Sequence, residues 1–349
     1  MLDRVIPSKS LPELVDELGR SHRIVGPVLR EDRYFYQPVD RAAALDLGFN
    51  YCVYGPKAVL FPPQETLFTF EKDRGRFVTQ AVYDHKPTAL VGVHPCDVNA
   101  ILLLDHVFAN GHRDEHYLRR RANTFILGID CPRPCTEGVF CRDMKANEAT
   151  KGFDLMCYPL SGDPVGAKRY GVVFGTDAGR ELVLLRQAGA PPSPEDEELF
   201  NGYLAQKGEA FPQTIPYDVD SLPTLLERSY DSLLWEATAR RCYSCGSCNL
   251  SCPTCYCFNT YDEVDLTLTR GERRREWDGC QLRRFTEVAG GHNFRAKAAS
   301  RLRHRIYRKA KWIKEREGLA GCVGCARCDR ACTAKINSVE IYRQLAEEA

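Results

Sequence analysis

The chain has 349 residues, a formal net charge of +1, and a composition of 44% hydrophobic and 27% charged residues. These values are typical of a folded globular protein of about two domains, and they exclude a largely disordered chain. The near-neutral charge gives no general reason to expect nucleic-acid binding, and the longest aliphatic run, Ile101 to Leu104, is far too short to span a membrane.

The first elements alternate between helical and extended patterns. Ser10-Leu-Pro-Glu13 has the form of a capping box, and apolar residues at helical spacing follow it, which predicts an amphipathic helix. The apolar stretches Ala58 to Phe61 and Glu65 to Phe70 are separated by turn residues. Both are therefore predicted to be strands.

A strand–helix–strand unit is predicted next. Thr88 to Val93 and Thr124 to Ile129 have the composition of buried strands, and the helix between them is predicted to begin at Asp97 as its N-cap. Such crossover connections are almost always parallel and right-handed, so both strands end at the same edge of the sheet. Cys96 and Cys131 follow these two strand ends and are expected to lie close together.

The remaining patterns divide the chain. A hairpin is predicted for Gly171 to Phe174 and Glu181 to Leu185. A short helix is expected to start at Ser193 and Pro194. One further helix, leading to Cys242, is predicted by the apolar residues from Leu222 to Ala237. We therefore expect an α+β fold with a mixed α/β domain followed by a mostly helical domain. The predicted ranges are 1–190 for the first domain, 191–221 for a linker with a short helix, and 222–349 for the second domain, with a basic insertion at about 258–318.

The 17 cysteines suggest metal ligation. The amino terminus lacks a basic stretch followed by an apolar segment, so we expect a cytoplasmic protein with no membrane partner. In that reducing compartment disulfides rarely persist, and clustered thiols are better explained as metal ligands.

Two cysteine runs have the spacing of bacterial two-cluster ferredoxins, in which the fourth cysteine of each run serves the other cluster. The runs are Cys242-Tyr-Ser-Cys245-Gly-Ser-Cys248-Asn-Leu-Ser-Cys252-Pro253 and Cys322-Val-Gly-Cys325-Ala-Arg-Cys328-Asp-Arg-Ala-Cys332. This spacing predicts two 4Fe–4S clusters: cluster A bound by Cys242, Cys245, Cys248 and Cys332, and cluster B bound by Cys322, Cys325, Cys328 and Cys252. Structural zinc is the alternative, but zinc ribbons use two Cys-x-x-Cys pairs rather than four cysteines in each run.

The other cysteines form two groups and two single residues. The first group, expected at the strand edge and in the loop after it, is Cys96, Cys131, Cys135 and Cys141. It is predicted either to hold a third cluster or to contain small buried residues. The second group is Cys255, Cys257 and Cys280, with His292 as its fourth member, and is either a further metal centre or packing around cluster B. Cys52 and Cys157 are expected to be ordinary thiols.

The segment from Arg270 to Arg316 is rich in lysine and arginine. One interpretation is a solvated helical face, and the other is a surface that docks onto an acidic partner subunit.

Several motifs resemble the beta subunit of cytosolic sulfhydrogenases and the A subunit of anaerobic sulfite reductase. They are residues 242–259, Trp277-Asp-Gly-Cys280, Ala289-Gly-Gly-His-Asn-Phe-Arg295, residues 322–337, Gly92-Val-His-Pro-Cys-Asp97, Tyr117-Leu-Arg-Arg120 and residues 55–62. The resemblance covers nearly the whole chain. It implies a relay between a flavin subunit that reacts with NAD(P)H and a catalytic subunit, which is either a nickel–iron hydrogenase or a sirohaem sulfite reductase. In the family the loop after Cys131 tends to end in Cys-Phe-Cys, whereas here it ends in Val139-Phe140-Cys141 with Cys135 earlier.

The sequence lacks the motifs of dinucleotide and phosphate binding, so we expect no flavin or nicotinamide on this chain. It also lacks an Arg-x-Cys-Gly-x-Cys nickel site, because Tyr243 stands where the arginine would be needed. The favoured hypothesis is a redox subunit with no catalytic residues of its own, serving a nickel–iron hydrogenase. The alternatives are the corresponding component of an anaerobic sulfite reductase, a similar heterodisulfide-reductase-linked electron input module and, more remotely, a nucleic-acid-binding protein with structural clusters.

Overall fold

A computed structural model describes residues 1–160, 166–215 and 217–348. The strands are β1 (Arg4–Pro7), β2 (Arg23–Arg30), β3 (Arg33–Val39), β4 (Gln64–Asp73), β5 (Arg76–Ala81), β6 (Thr88–Val93), β7 (Thr124–Ile129), β8 (Leu155–Pro159), β9 (Arg169–Phe174), β10 (Phe258–Val264) and β11 (Arg270–Trp277). The helices are α1 (Ser10–Leu18), α2 (Lys57–Leu60), α3 (Pro95–Ala109), α4 (Glu115–Ala122), α5 (Asp177–Leu185), α6 (Pro194–Ala210), α7 (Leu222–Arg228), α8 (Leu234–Ala239), α9 (Ser247–Leu250), α10 (Ala298–Tyr307), α11 (Ile313–Glu317), α12 (Arg327–Arg330) and α13 (Ser338–Glu348). Short 3₁₀ turns occur at Ala42–Ala44, Val219–Ser221 and Arg283–Thr286, and a π-helical turn at Arg308–Trp312 joins α10 to α11.

A seven-stranded mixed sheet organises the amino-terminal part, in the order β1-β9-β8-β7-β6-β2-β3. Its centre is parallel, with β6 between β2 and β7 and with β7 beside β8. Every residue of β6 and β7 is buried, as expected for continuous apolar strands covered on both faces. The predicted parallel unit of Thr88–Val93 and Thr124–Ile129 is therefore confirmed, and its strand ends present Cys96 and Cys131 at one edge.

Some local predictions were wrong. The helix at Ser10 forms, but Lys9 is its N-cap and no side chain caps it, so there is no capping box. Ala58 to Phe61 is not a strand, because α2 occupies this stretch. Asp97 lies inside the first turn of α3, whose N-cap is His94.

Two further predictions need correction. Glu181 to Leu185 belongs to α5, because the Thr176 side chain accepts a hydrogen bond from the Gly179 N–H and starts a helix where a hairpin turn was predicted. The helix predicted from Leu222 to Ala237 is divided into α7 and α8. The helix at Ser193 does form, with a complete capping box, and extends over 17 residues.

A second sheet joins distant parts of the chain. Its order is β10-β11-β4-β5, and all three pairings are antiparallel. The hairpin β10–β11 comes from the predicted basic insertion, whereas β4 and β5 precede the parallel strands of the larger sheet. This pairing brings the cysteine-rich part of the chain against the amino-terminal part.

Helices predominate toward the carboxyl terminus, where α7, α8, α10 and α13 share an apolar core with the π-helical turn. The α+β fold class, with a large sheet in the amino-terminal part and helices after it, is confirmed. In the part of the chain that the structure describes, no helix has both the length and the apolar character needed to cross a membrane.

Candidate iron–sulfur sites

The two cysteine runs adopt the same backbone shape. Ser244 and Gly246 in the first run, and Gly324 and Ala326 in the second, all have positive φ angles, between 52° and 78°. Residues in this left-handed conformation curl a loop so that its N–H groups turn inward, which suits an anionic guest. In both loops the N–H two residues after the first cysteine donates to that cysteine's sulfur, at 3.4 Å.

The first run meets the last cysteine of the second run. Burial raises the pKa of Cys248 to about 11, and the neighbouring charges of Cys280, Cys242 and Cys332 contribute to this rise. Cys245 is exposed, and its pKa is lowered because the Ser247 hydroxyl, 3.3 Å away, hydrogen-bonds to its sulfur. The structure thus brings Cys248 close to Cys242 and Cys332, three of the four cysteines predicted for cluster A.

The second run meets Cys252 of the first run. A closed cavity is lined by Cys252, Cys322, Cys325 and Cys328, together with apolar side chains and the cations Arg305 and Lys309. Burial raises the pKa of Cys322 to about 12 and that of Cys325 to about 11, and the Cys252 charge adds to both shifts. The crossed arrangement predicted for cluster B is the arrangement that this geometry favours.

Four further cysteines converge beside the second run. Cys96, Cys131, Cys135 and Cys141 pack in one small cluster of side chains with Val139, Phe211 and Ala326. Burial raises the pKa of Cys141 to about 12, and the charges of Cys135 and Cys325 add to it. The group therefore lies next to the predicted ligands of cluster B.

A buried ion pair connects this group to the second run. Arg327 donates two hydrogen bonds to the Asp97 carboxylate, at 2.6 and 2.7 Å, and its Nε donates to the Cys52 carbonyl at 2.8 Å. Arg327 lies between Cys325 and Cys328, and Asp97 follows Cys96. Sequence reasoning missed this pair because Asp97 was interpreted as a helix cap.

The backbone makes another contact between the second cysteine run and the amino-terminal part. The Phe140 N–H donates to the Gly324 carbonyl at 2.8 Å. A Cβ at position 324 would lie 2.4 Å from the Phe140 carbonyl carbon, so only glycine allows this approach. The second loop is thus held against the amino-terminal part.

A buried basic stripe runs along α10 and the π-helical turn. Arg301, Arg305 and Lys309 are spaced four residues apart, which places them on one helical face, and all three are buried. Arg301 donates to the Ser244 hydroxyl at 2.8 Å, Arg305 to the Cys248 carbonyl at 3.4 Å and Lys309 to the Thr254 carbonyl at 3.0 Å. Here the interpretation of a solvated helical face is wrong.

Other arginines of the basic segment form ion pairs, and a separate set of arginines lies exposed beside the first cysteine run. On β11, Arg270, Arg273, Arg274 and Arg275 form ion pairs with acidic side chains of neighbouring strands or loops. Beside the first cysteine run, four arginines are exposed and have no ion pair among the residues that the structure describes: Arg240, Arg241, Arg283 and Arg284. Leu282, which precedes the last two, packs against Gly246 of the cysteine loop.

The remaining cysteine group is compact. The Asn249 amide donates to Cys280 Sγ at 3.3 Å and lies 3.9 Å from Cys255 Sγ. Cys257 hydrogen-bonds to Cys255, which lowers the pKa of Cys255 and raises that of Cys257. His292 is exposed, and its ring packs edge-on against Phe294.

These residues fit iron–sulfur clusters better than they fit a single ion. Within residues 1–160, 166–215 and 217–348, no three His, Cys, Asp or Glu side chains are close enough to share one metal ion. A 4Fe–4S cube is bound at four separate irons, so its ligands stand farther apart. The cavity also contains the buried Arg305, whose Nε has no hydrogen-bond partner in the described part of the chain, as expected beside an anionic group.

Comparison with known proteins agrees with this chemistry. Residues 241–336 match the family model described as a 4Fe-4S dicluster domain. The chain is 32% identical, over 341 residues, to sulfhydrogenase 2 subunit beta of Pyrococcus furiosus, and the alignment covers 97% of each protein.

Proposed function

The chain belongs to the family of sulfhydrogenase beta subunits, and we propose that it relays electrons between a flavin subunit that reacts with NAD(P)H and the nickel–iron subunit of a hydrogenase. As an iron–sulfur electron-transfer component of a hydrogenase, it needs ligands for clusters, a path between them and a surface that faces a partner. The observation that supports the proposal is that each cysteine loop approaches the last cysteine of the other: Cys248 lies near Cys332, and Cys252 shares a cavity with the second run.

The ligand sets are those expected from the sequence. Cluster A would be held by Cys242, Cys245, Cys248 and Cys332, and cluster B by Cys322, Cys325, Cys328 and Cys252. Each cluster supplies one-electron transfer at a potential set by burial and by hydrogen bonds to sulfur. The inward N–H groups of both loops and the buried Arg305 provide such stabilisation for the added negative charge.

A third cluster extends the path into the amino-terminal part. Its ligands would be Cys96, Cys131, Cys135 and Cys141, which share one cluster of side chains. Cys141 is close enough to Cys325 for the charges of the two thiols to interact. The order of centres is then third cluster, cluster B and cluster A, from the edge of the large sheet to the exposed Cys245.

The exposed end of this path is suited to a partner protein. Cys245 lies on the surface. Of the four arginines without ion pairs among the described residues, Arg240 and Arg241 directly precede Cys242, and Arg283 and Arg284 follow Leu282, whose side chain packs against Gly246. Within residues 234–246 and 279–289, which contain these arginines, the acidic residues are Glu236 and Glu287, so positive charge dominates. A partner with an acidic surface around its own redox group would be attracted to the basic surface around Cys245.

The proposal is tested by reducing the intact complex. The complex would be isolated without oxygen through a tag on this chain, treated with NADH or NADPH, and followed by EPR for the clusters and by absorbance for the flavin. The clusters are expected to be reduced together with the flavin. The relay is refuted if the clusters stay oxidised while the flavin is reduced, and a sirohaem subunit in place of a nickel–iron one would assign the chain to sulfite reduction.

A further inference from the structure

We propose that Cys255, Cys257 and Cys280 bind a further iron–sulfur centre, called centre C below, whose negative charge is balanced by the buried Lys57. This inference rests on the proposed function, because it adds a redox centre to the same relay. It is carried by the arrangement of three thiols and by a buried lysine that has no carboxylate partner in the described part of the chain.

Two of the three thiols of centre C contact one amide group. Asn249 donates to Cys280 Sγ at 3.3 Å and is 3.9 Å from Cys255 Sγ, while Cys255 and Cys257 hydrogen-bond to each other. Cys255 and Cys280 are buried. The backbone holds the amide in place, because the Asn249 side-chain oxygen accepts the Gln281 N–H at 3.1 Å. This network brings sulfur atoms from two separate segments close together.

Lys57 brings a buried positive charge to the same point. It is only 5% exposed, and its Nζ makes long hydrogen bonds to the carbonyls of Leu250, at 3.5 Å, and Cys255, at 3.4 Å. It also lies 3.6 Å from the centre of the Trp277 ring. Among the described residues it has no carboxylate partner, and a buried charge without a counter-charge costs several kcal/mol. The position therefore requires an anion.

Cluster B alone does not balance all of the buried positive charge. A 4Fe–4S cube with four thiolates is a dianion when oxidised, and two cations, Arg305 and Lys309, already line its cavity. Arg327 is neutralised by Asp97. Lys57 is then a third buried cation. The thiol charges that act on it are, in decreasing order, those of Cys255, Cys252 and Cys257, so two of the three belong to centre C.

A second cation reaches the outer side of this group. Arg295 is close enough to Cys280 and Cys257 for their charges to act on it. Its Nε is buried and has no hydrogen-bond partner among the described residues. Buried polar groups are nearly always satisfied, so this nitrogen points to an acceptor that the protein itself does not provide, as sulfide would be.

Three thiolates define the class of centre. They are enough for a 3Fe–4S cluster, or for a 4Fe–4S cube whose fourth iron takes a small non-protein ligand. Cys257 and Cys280 come from segments that flank the hairpin β10–β11, so centre C lies where this hairpin joins the cysteine loops.

The first test is the Cys280→Ala variant of the full chain, purified without oxygen in its complex. Iron and acid-labile sulfide per chain should fall by the content of one centre, while the EPR signals of the other clusters persist. The matched control is Cys157→Ala, since Cys157 is buried in β8 and its pKa is raised to about 12 by burial alone, with no charged neighbour contributing. Equal iron in the two variants would overturn the proposal.

The second test covers the case in which Cys280→Ala fails to fold. In Lys57→Met the loss of a positive charge should make one EPR-active centre harder to reduce, by at least tenfold in its reduced-to-oxidised ratio at a fixed potential. Lys57→Arg should restore the original value. A shift in no signal, or only in signals that Cys245→Ser, Cys252→Ser or Cys135→Ser removes, refutes centre C. The relay itself is judged by reduction through the flavin, so the two proposals fail separately.

Discussion

The two cysteine loops have the same spacing and the same left-handed residues, yet their surroundings differ. Cys245 of the first loop is exposed, and its sulfur is hydrogen-bonded by a surface serine. The second loop lines a closed cavity, and residues from the amino-terminal part hold it through Asp97 and Phe140. The comparison teaches that spacing sets the ligand geometry, whereas distant residues set solvent access and charge.

This difference divides the roles of the two loops. The second loop connects the sheet to the helices, so its integrity affects the whole molecule. The first loop lies at the periphery, where a partner can approach within electron-transfer distance of an exposed cluster. The following predictions test this division from the largest expected effect to the smallest.

Removing a ligand should cost more at the closed site than at the open one. Cys252→Ser takes a thiolate from the cavity of cluster B, and we expect loss of a whole cube and a large fall in the unfolding temperature, because ligation contributes to folding at structural metal sites. Iron content and anaerobic thermal unfolding would measure both changes.

The matched variant is Cys245→Ser. Because Cys245 is exposed, water or the serine itself can take the open coordination position, so cluster A should be lost or converted with a smaller fall in the unfolding temperature. If Cys245→Ser proves as destabilising as Cys252→Ser, the closed and open sites do not differ in the way described.

Breaking the ion pair behind the second loop should be the next largest effect. Asp97→Asn leaves the buried Arg327 without a counter-charge, at a cost of about 3–5 kcal/mol in the free energy of unfolding. Denaturant unfolding of the anaerobic protein would measure it. Asp262→Asn, in an exposed pair with Arg273 on the hairpin, should cause no measurable change. Equal effects would show that Asp97 does not anchor the loop.

The parts of the fold that were predictable from the sequence are those with strong local patterns. Thr88–Val93 and Thr124–Ile129 are uniformly apolar, and their parallel pairing follows from the handedness of crossovers. The strand predicted for Ala58–Phe61 was wrong because four apolar residues fit a strand or a helix equally well. Lys57 begins that helix, so the sequence pattern did not indicate that its side chain reaches Cys255.

The electrostatics of the sites were less predictable, because charge patterns alone do not identify the face that meets an anion. Arg301, Arg305 and Lys309 are spaced like a solvated stripe, but Leu302 and Ile306 on the same helix are also buried. The signal present in the sequence is that clusters with many thiolates need cations nearby. The pairing of Asp97 with Arg327 joins residues 230 positions apart and has no local signature.

The smallest predicted effect concerns the surface beside the first loop. Reversing two charges there, in Arg283→Glu with Arg284→Glu, should slow reduction of the chain by a reduced acidic ferredoxin about tenfold at low salt. The rate of the unmodified chain should fall as salt is added, while that of the variant should depend little on salt. Stopped-flow absorbance would measure the rates.

The control reverses the same number of charges elsewhere. Arg74 and Arg76, at the tip of the hairpin β4–β5, are exposed and have no ion pair among the described residues. At about 0.1 M salt, where long-range attraction is screened beyond about 10 Å, Arg74→Glu with Arg76→Glu should leave the ferredoxin rate unchanged, whereas Arg283→Glu with Arg284→Glu should still lower it. Reduced methyl viologen, a small cation, should reduce both variants at least as fast as the unmodified chain. If both double variants lose the ferredoxin reaction equally, net charge explains the rate and the first loop is not the docking surface.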